Sequence, residues 1–583
     1  TDRGTEIGTQ ILGDGNVTVA AKNDVNIRQG VINSEHGVTT IVAGNDVNIE
    51  NGNTYSRDQY GLQYKEKGLL SRTVNTIRKD YEHTGVTSST IGGNAIQVGA
   101  NHDVNITGSN VLGTGDVAIS AGNKVRTNSA EDSSRNDTYQ HSKKKGLMGA
   151  GLGFTIGSKQ IKDTEAESYT TNVNTLIGSV DGTIAINANN DAHITSTDIV
   201  GKHGITVSAA DITLDGNHDV AMSKQVHEEK QSGLTVSLGG SIASALNTAH
   251  GLQRKASSRN DKRLATLENI EAGKELKKGY EQIKEYQEFT AEFVKQRAEN
   301  LIDSSKIKKG YVAEIDKELK NPNLSDKEIR RLEKDRNRLQ QEANQEYAEG
   351  TSDLQDINSK NQKQYNAKKR AKKDGLANIH VSIGSSRSRS ETTLNSRNYA
   401  GGQLVSDEGI MLVAKPNMQD KGNIVVVGET IRGKSVALEA SKDISLLAAT
   451  NTSENQVAYD SKGWSIGANL SVNGGGLLGL DANYNQGMER GNTFKTTHTG
   501  TVIQADQVNL HSGKDTTIAG SKVYGDSVTA KIGGNLMIKS LQDTETYRGK
   551  SKNAGFSVST NGLQLGSVSA EYTNGTMKSD YAS

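Results

Sequence analysis

The 583-residue chain is longer than a single hydrophobic core usually supports, but this length is ordinary for an elongated array of repeats. Hydrophobic residues make up 33% of it and aromatic residues 4%, which favours a thin aliphatic interior over the core of a globular enzyme. The zero net charge excludes an overall field that would attract nucleic acid, and the lack of cysteine excludes disulfides and thiolate metal sites.

A seven-residue motif, Ala-Gly-Asn-Asp-Val-Asn-Ile at residues 43–49, organises the sequence. A polar turn leads into apolar side chains two positions apart, such as Val47 and Ile49, which is typical of a strand with one buried face. Neighbouring copies recur every ~20–22 residues, and such coils must stack to bury their apolar edges. The copies lie at residues 21–27 and 100–106 and, in looser form, at 188–194, 216–222, 440–446, 512–518 and 533–538. We therefore predict an all-β fold, a parallel β-helix assumed to be right-handed.

Taken in chain order, the motif divides the sequence into three regions. Residues 1–250 are predicted to be β-helix rungs with hairpin excursions at about 54–88 and 128–172. Residues 251–375 are predicted to be α-helical, and residues 376–583 return to rungs with excursions at about 452–498 and 547–583. About eleven rungs are expected. There is no signal peptide and no apolar run of about 18 residues, so we expect a piece of a longer chain without a transmembrane helix.

The excursions share an alternating pattern. Phe154 and Ile156 alternate with small or polar residues, and the series that begins at Trp464 is the longest. A period of two indicates half-buried strands, so we expect β-hairpins that leave the solenoid and lie against its flank. Strands with one apolar face could also associate with a bilayer, and charges placed at Leu470 and Leu480 would test that alternative.

The segment 251–375 changes to helical spacing and is rich in Lys, Glu, Arg and Gln. Residues 276–293 and 329–347 each keep apolar side chains on one face, and Ser325–Glu328 is a capping-box pattern that begins the later helix. We expect two long helices with a shorter one between them, folded back on each other. Because alternating stretches flank the segment on both sides, it is predicted to sit at the tip of a hairpin.

The repeated rungs, interrupted by Ser/Thr-rich hairpins marked by Lys and Gly, resemble the haemagglutinin repeats of filamentous-haemagglutinin-type exoproteins. They are most similar to the C-terminal-side repeat region of contact-dependent growth inhibition effectors. The resemblance implies a right-handed parallel β-helix, export through an outer-membrane two-partner-secretion transporter, display on the bacterial cell surface, and association with the outer membrane of a target cell. It covers the chain except the helical segment.

Several features could be read as binding sites. The recurring acid could form a calcium ladder, but the known solenoid calcium site has a nine-residue repeat that is missing here, so turn chemistry is the expected role. His102 and His218 share a local pattern, but no third metal ligand is specified. The positions with the recurring acid are Asp24, Asp46, Asp103, Asp191, Asp219, Asp443 and Asp515.

Two basic runs and one glycine-rich run also have both a binding and a structural explanation. Lys368–Lys373 could bind anionic lipid or nucleic acid, although a basic last helical turn explains it. A similar run, Lys143–Lys145, lies in a hairpin. No helix follows the glycines of residues 146–157, so a nucleotide loop is not expected.

We therefore predict a non-catalytic segment of a large secreted surface exoprotein. No catalytic, cofactor or metal residue is predicted, and neither a nucleic acid nor a small-molecule substrate is expected. Its role would be to extend a filament and to assist contact with a target-cell outer membrane during toxin delivery. The alternatives are a host-cell adhesin stalk and a polysaccharide-acting β-helix enzyme, which would need carboxylates converging within one or two rungs.

Overall fold

The computed structural model describes residues 1–68, 70–149, 153–239, 291–320, 326–358, 378–415, 421–471 and 476–583. Three parallel sheets of ten strands each run along the molecule, and each rung contributes one strand to every sheet. This arrangement confirms the predicted parallel β-helix. The described residues form ten rungs, one fewer than expected.

The first two strands of each rung are short. The first sheet contains β2 (Gln10–Gly13), β5 (Val31–Ser34), β10 (Thr90–Gly93), β13 (Asn110–Gly113), β18 (Thr175–Ser179), β21 (Thr197–Gly201), β26 (Gln403–Ser406), β29 (Thr430–Arg432), β33 (Val502–Gln504) and β36 (Lys522–Tyr524). The second contains β3 (Val17–Ala21), β6 (Val38–Ala43), β11 (Ala95–Ala100), β14 (Val117–Ala121), β19 (Ile184–Ala188), β22 (Ile205–Ala209), β27 (Gly409–Ala414), β30 (Ser435–Ala440), β34 (Gln507–Ser512) and β37 (Ser527–Ile532).

The third sheet holds the recurring motif. It contains β4 (Val25–Arg28), β7 (Val47–Glu50), β12 (Asp103–Thr107), β15 (Lys124–Asn128), β20 (Asp191–Thr195), β23 (Asp211–Asp215), β28 (Ile424–Val427), the start of β31 (Ile444–Ser471), β35 (Thr516–Ala519) and β38 (Leu536–Lys539). Ile27, Ile49 and Ile106 are stacked in register, and the last two are fully buried. Each such side chain contributes about 1.5–3 kcal/mol by leaving water.

After every second rung, the chain leaves the third sheet as a long hairpin, and the first four of the five hairpins return to the first sheet. A short N-terminal strand, β1 (Asp2–Thr5), pairs with the first hairpin. The hairpin strands are β8 (Gly52–Lys67) with β9 (Ser71–Thr87), β16 (Ala130–Gly149) with β17 (Gly153–Val173), β24 (Asn217–Gly239) with β25 (Asn378–Ala400), β31 with β32 (Leu477–Gly500), and β39 (Thr544–Asn561) with β40 (Gln564–Ala582).

The hairpins do not lie against the solenoid, and that prediction was wrong. Neighbouring hairpins pair with each other instead, through β9–β16, β17–β24, β25–β31 and β32–β39, and so form one continuous antiparallel sheet. The reason is a match of dimensions. Two rungs rise by ~9.6 Å, and a two-stranded hairpin is ~9.6 Å wide, because strands are spaced by about 4.8 Å in both kinds of sheet. Each hairpin therefore arrives at the edge of the previous one.

Buried hydroxyl groups anchor three of the places where a hairpin rejoins the solenoid. Ser89 Oγ donates to the carbonyl oxygen of Glu50 at 2.6 Å, Thr175 Oγ1 donates to that of Asn128 at 2.7 Å, and Thr501 Oγ1 donates to that of Leu447 at 2.8 Å. Each bond joins the residue after the hairpin to a carbonyl near the end of the preceding third-sheet strand. Each of these carbonyl oxygens also accepts a bond from a backbone N–H of the preceding rung, those of Gln29, Gly108 and Gly428 respectively, so the hydroxyl group adds a second bond at the corner.

The third hairpin carries two described helices, α1 (Ala291–Glu318) and α2 (Asp326–Asn358), between its strands. They pack through small side chains: Ala298, Ser305 and Ala343 are fully buried, and Ser305 Oγ donates to the carbonyl oxygen of Ala343 at 2.7 Å. Residues 276–290 of the predicted helical face at 276–293, Ser325 of the capping-box pattern and the basic run at 368–373 lie outside the described residues. None of the described helices combines the length and the apolar character that crossing a membrane requires.

One predicted copy of the motif is not a rung. Residues 216–222 belong largely to β24, so Asp219 lies in a hairpin, where its Oδ1 accepts a bond from the N–H of Asn172 at 2.8 Å. In the sixth rung, the position of the recurring acid is occupied by Asp211, which pairs in register with Asp191 of the fifth rung. The two segments have the same polar-then-apolar pattern, and only stacking distinguishes them.

Candidate functional site

The recurring acid joins successive rungs. Asp24 Oδ1 accepts from the N–H of Asp46 at 3.1 Å, and Asp46 Oδ1 accepts from the N–H of Asp103 at 2.9 Å. Further along the stack, Asp443 Oδ1 accepts from the N–H of Asp515 at 2.9 Å. Each carboxylate thus caps a backbone donor of the next turn, which supports the turn interpretation of these residues.

Two groups of possible metal ligands occur among the described residues: Asp14, Glu35 and His36, which are all exposed, and Asp46, His102 and Asp103. Only the second group contains a buried ligand, Asp103. The oxygen atoms of this group already have partners: Asp46 accepts from His102 Nδ1 at 2.9 Å, while Asp103 accepts from Asn123 Nδ2 at 2.7 Å and from Arg126 Nη1 at 3.1 Å. Burial raises the pKa of Asp46, but the bonds from Asp103 and His102 outweigh it and lower the pKa overall. A network of protein donors accounts for the cluster.

The second histidine considered with His102 has different surroundings. His218 Nε2 lies 2.9 Å from the carbonyl oxygen of Thr450, and its ring packs edge-on against Tyr399 at 5.7 Å between centroids. The two histidines do not share a site.

A buried carboxyl group occupies the corner between the eighth rung and the one before it. Glu429 is only 2% exposed and stacks between Gly402 and Thr501, in a column where other rungs carry Ser or Thr. Its Oε2 accepts from the N–H of Gly402 at 2.7 Å, and its Oε1 lies 2.9 Å from Tyr399 Oη. A side chain at Gly401 would meet Glu429 Oε1 at 2.8 Å, so the missing side chain of Gly401 leaves room for the carboxyl group.

The contacts of Tyr399 indicate that Glu429 is protonated. Tyr399 Oη is close to both Glu429 Oε1 and the carbonyl oxygen of Val427, but a phenol has one hydrogen to donate. If Tyr399 donates to Val427, then Glu429 must supply the proton of the other bond. Burial raises the pKa of Glu429 to about 8, because the bond from the N–H of Gly402 only partly offsets it and the charges of Asp215 and Asp198 raise it further.

The distal part of the hairpin sheet has one apolar face. One row crosses seven strands in register and consists of Ile156, Leu234, Ile383, Ile466, Ala482, Val558 and Val568. Rows two positions away add further large apolar residues on the same side, because side chains alternate between faces. Members of this apolar face that are 40–58% exposed are Phe154, Ile156, Leu234, Leu238, Ile383, Trp464, Ile466, Leu480, Phe556 and Val568.

The other side of the same strands is polar and small. The row next to Ile156 consists of Gly157, Gly233, Gly384, Ser465, Asn483, Ser557 and Ser569. The apolar face covers about 30 Å by 20 Å at strand dimensions, or roughly 600 Å², which equals the upper end for patches on soluble monomers. A contiguous face of this size indicates an interaction surface.

The sequence located the residues of this face but not their assembly. Phe154, Ile156 and the series from Trp464 were identified by their alternation, and they lie on the face as predicted strand residues. Leu152 lies outside the described residues. The sequence missed that the strands of different hairpins align, and the signal available was the regular count of two rungs between excursions.

The profile of the haemagglutinin-repeat family matches residues 71–234 and 381–555, which include eight of the ten long hairpin strands at least in part and omit the helices. The chain belongs to the haemagglutinin-repeat family. It is part of a secreted exoprotein of the kind displayed on the bacterial cell surface.

Curated relatives of this haemagglutinin-repeat chain are much longer proteins. It is 29% identical over 596 residues to 16S rRNA endonuclease CdiA of Enterobacter cloacae, covering 99% of the chain and 15% of that protein. It is 27% identical over 527 residues to tRNA nuclease CdiA of Yersinia mollaretii (89% and 15%) and 28% over 538 residues to Toxin CdiA of Escherichia coli (89% and 14%). The chain therefore spans about a seventh of these relatives. No solved structure matches it.

Proposed function

We propose that this chain is a non-catalytic delivery segment of a contact-dependent growth inhibition exoprotein and that its hairpin sheet lies on the outer membrane of the target cell. The relatives named as nucleases and a toxin support the delivery role, since the chain corresponds to a small part of each. The exposed apolar face of the hairpin sheet is the observation that carries the membrane role.

The geometry suits a bilayer surface. The face is made by seven strands whose backbone groups pair with one another, so the sheet can enter an apolar medium without leaving central ladder groups unpaired. Burying an apolar area of roughly 600 Å² would contribute about 15 kcal/mol before the costs of ordering and desolvation. The solenoid supplies a stiff spine that holds the hairpins in register.

Export through an outer-membrane transporter partner also fits the chain. Each rung contacts mainly its neighbours, so a threaded, cysteine-free chain can fold progressively as successive rungs stack. Stacking would then provide the driving force on the outer side of the membrane.

The membrane role is tested with the paired substitutions Leu470→Asp and Leu480→Asp. They place charges on the apolar face, and we expect binding of the purified chain to liposomes or to isolated outer membranes to be abolished. The matched control is Ser382→Asp with Ser465→Asp, which adds the same charges to the opposite face of the same sheet. Unchanged binding by the leucine variant, with the secondary structure of all proteins intact, would rule the role out.

A further inference from the structure

Three cations lie directly opposite one another on consecutive hairpin strands. Lys230 on β24 pairs in register with Arg387 on β25, which pairs with Lys462 on β31. All three side chains are exposed and lie on the same side of the sheet as the apolar face. Like charges in directly opposed positions destabilise a sheet, so the row has a cost that an anionic partner would remove.

In the same row and the adjacent row toward the hairpin tips, every charged side chain is basic. They contain Lys65, Lys67, Arg72, Lys143, Lys145, Lys230, Arg387 and Lys462, and no aspartate or glutamate. We call these the basic rows. The alternation of side chains splits the positive run Lys143–Lys145: its first and last residues join the basic rows, and Lys144 lies on the opposite face.

The carboxylates nearest the three central cations are bound elsewhere. Glu228 lies 3.6 Å from Arg389, and Asp460 accepts from Arg490 at 2.8 Å. Within the described parts of the chain, no carboxylate lies within 4.0 Å of Lys230, Arg387 or Lys462. Lys462 Nζ instead lies 5.6 Å from the centre of the Tyr484 ring. By contrast, Lys159 on the opposite face has Glu229 at 2.8 Å.

The order of side chains from the hairpin tips toward the solenoid has the polarity of a membrane interface. Aliphatic rows come first, then a row that contains Trp464, Tyr484 and Phe556, and then the row of Lys230 and Arg387. Lys230 is four residues from Leu234, or ~13 Å along the strand. That distance lets the apolar rows contact acyl chains while the long basic side chains reach phosphate groups.

We propose that the basic rows bind the phosphate groups of anionic lipid headgroups and so set the orientation and depth at which the apolar face rests in a bilayer. This inference rests on the proposed membrane role and names the lipid chemistry that the surface selects. Each Lys or Arg near an anionic membrane surface increases the affinity for that membrane about fivefold. The three central cations together would therefore increase it about a hundredfold.

The test compares the full chain with Lys230→Gln/Arg387→Gln/Lys462→Gln on vesicles of phosphatidylcholine, with and without phosphatidylglycerol. We expect tighter wild-type binding to the anionic vesicles, and about a hundredfold loss of that binding in the triple variant at low salt. The control, Lys79→Gln/Lys144→Gln/Lys495→Gln, removes equal charge from the opposite face and should lose much less. Thermal unfolding of both variants should match or exceed that of the wild type, since neutralisation removes repulsion.

The outcomes separate the two proposals. Equal wild-type binding to both vesicle types, or equal losses in the two triple variants, would overturn the phosphate assignment and leave the membrane role standing. Absence of wild-type binding to either vesicle would contradict the membrane role itself. Selective loss in the Lys230, Arg387 and Lys462 variant supports both.

Discussion

The carboxylate of Asp46 accepts a hydrogen bond from the backbone N–H of Asp103 at 2.9 Å, although the two residues are 57 positions apart. The first hairpin lies between them, yet the stack continues as if the intervening chain were absent. The solenoid and the hairpin sheet are thus two stacks with a common repeat, and each can be perturbed separately.

The turn ladder is predicted to contribute to stability through its best-buried member. Asp103→Ala removes bonds to Asn123, Lys124 and Arg126 and leaves the Lys124 N–H without its acceptor. We expect the free energy of unfolding to fall by about 2–3 kcal/mol, as measured by urea denaturation. Asp506→Ala, at an exposed turn of another rung, should change it by less than about 0.5 kcal/mol. Identical midpoints for wild type and Asp103→Ala would show that the ladder adds nothing.

Glu429 should make stability depend on pH. Its pKa in the folded chain is about 8, above the ordinary value of 4.5, so the folded state holds a proton that the unfolded state releases between these pH values. The stabilisation is complete below pH 4.5 and is lost as the pH rises toward 8. Glu429→Gln keeps a neutral donor beside Tyr399 and should remove this loss, on the order of 3 kcal/mol.

The measurement is thermal or urea unfolding of wild type and Glu429→Gln from pH 5 to pH 9. The two proteins should be similar at the acid end, and the variant should be the more stable one at the alkaline end. Glu439→Gln, an exposed glutamate of the same rung, should leave the wild-type profile unchanged. Parallel profiles for wild type and Glu429→Gln would mean that Glu429 is ionised in the fold.

The rise of two rungs equals the width of one hairpin, and this equality predicts which deletions the fold tolerates. Removing residues 89–174 takes out two rungs and one hairpin and joins equivalent corner positions, so β9 should pair with β24 and the sheet should stay continuous. Removing residues 175–196 takes out one rung. The third hairpin would then arrive one strand spacing, ~4.8 Å, too early.

Amide hydrogen exchange distinguishes the two deletions. Strand β24 should remain protected after the two-rung deletion, whereas the one-rung deletion should expose the amides shared by β17 and β24 to exchange. Equal protection in both variants would mean that the hairpins adjust independently of the rungs.

The helical arm is predicted to depend on close approach of its two helices. A side chain at Gly350 would meet the carbonyl oxygen of Ala298 at 2.7 Å, so Gly350→Leu should push the helices apart and lower the melting temperature of the helical signal. Gly310→Leu is the control, because that position is open on the surface of α1. Circular dichroism at helical wavelengths should show loss only for the first variant. The solenoid should be unaffected by either change.

The alternation of single side chains was sufficient to predict much of the fold. Val47 and Ile49 two positions apart, after a polar turn, specify a strand with one buried face, and the recurrence of this unit specifies stacking. The distal hairpin strands were also recognisable from Phe154, Ile156 and Trp464, because period-two alternation depends on local geometry.

Register between distant segments could be decided only by the tertiary structure. Residues 211–215 and 217–222 have similar local patterns. The first segment is the third-sheet strand of a rung because it stacks on β20, whereas the second segment begins a hairpin strand. In the same way, Lys230, Arg387 and Lys462 look like ordinary surface charges in sequence. They become one row because the rise of two rungs equals the width of one hairpin. The spacing of backbone hydrogen bonds sets this equality, and no single residue encodes it.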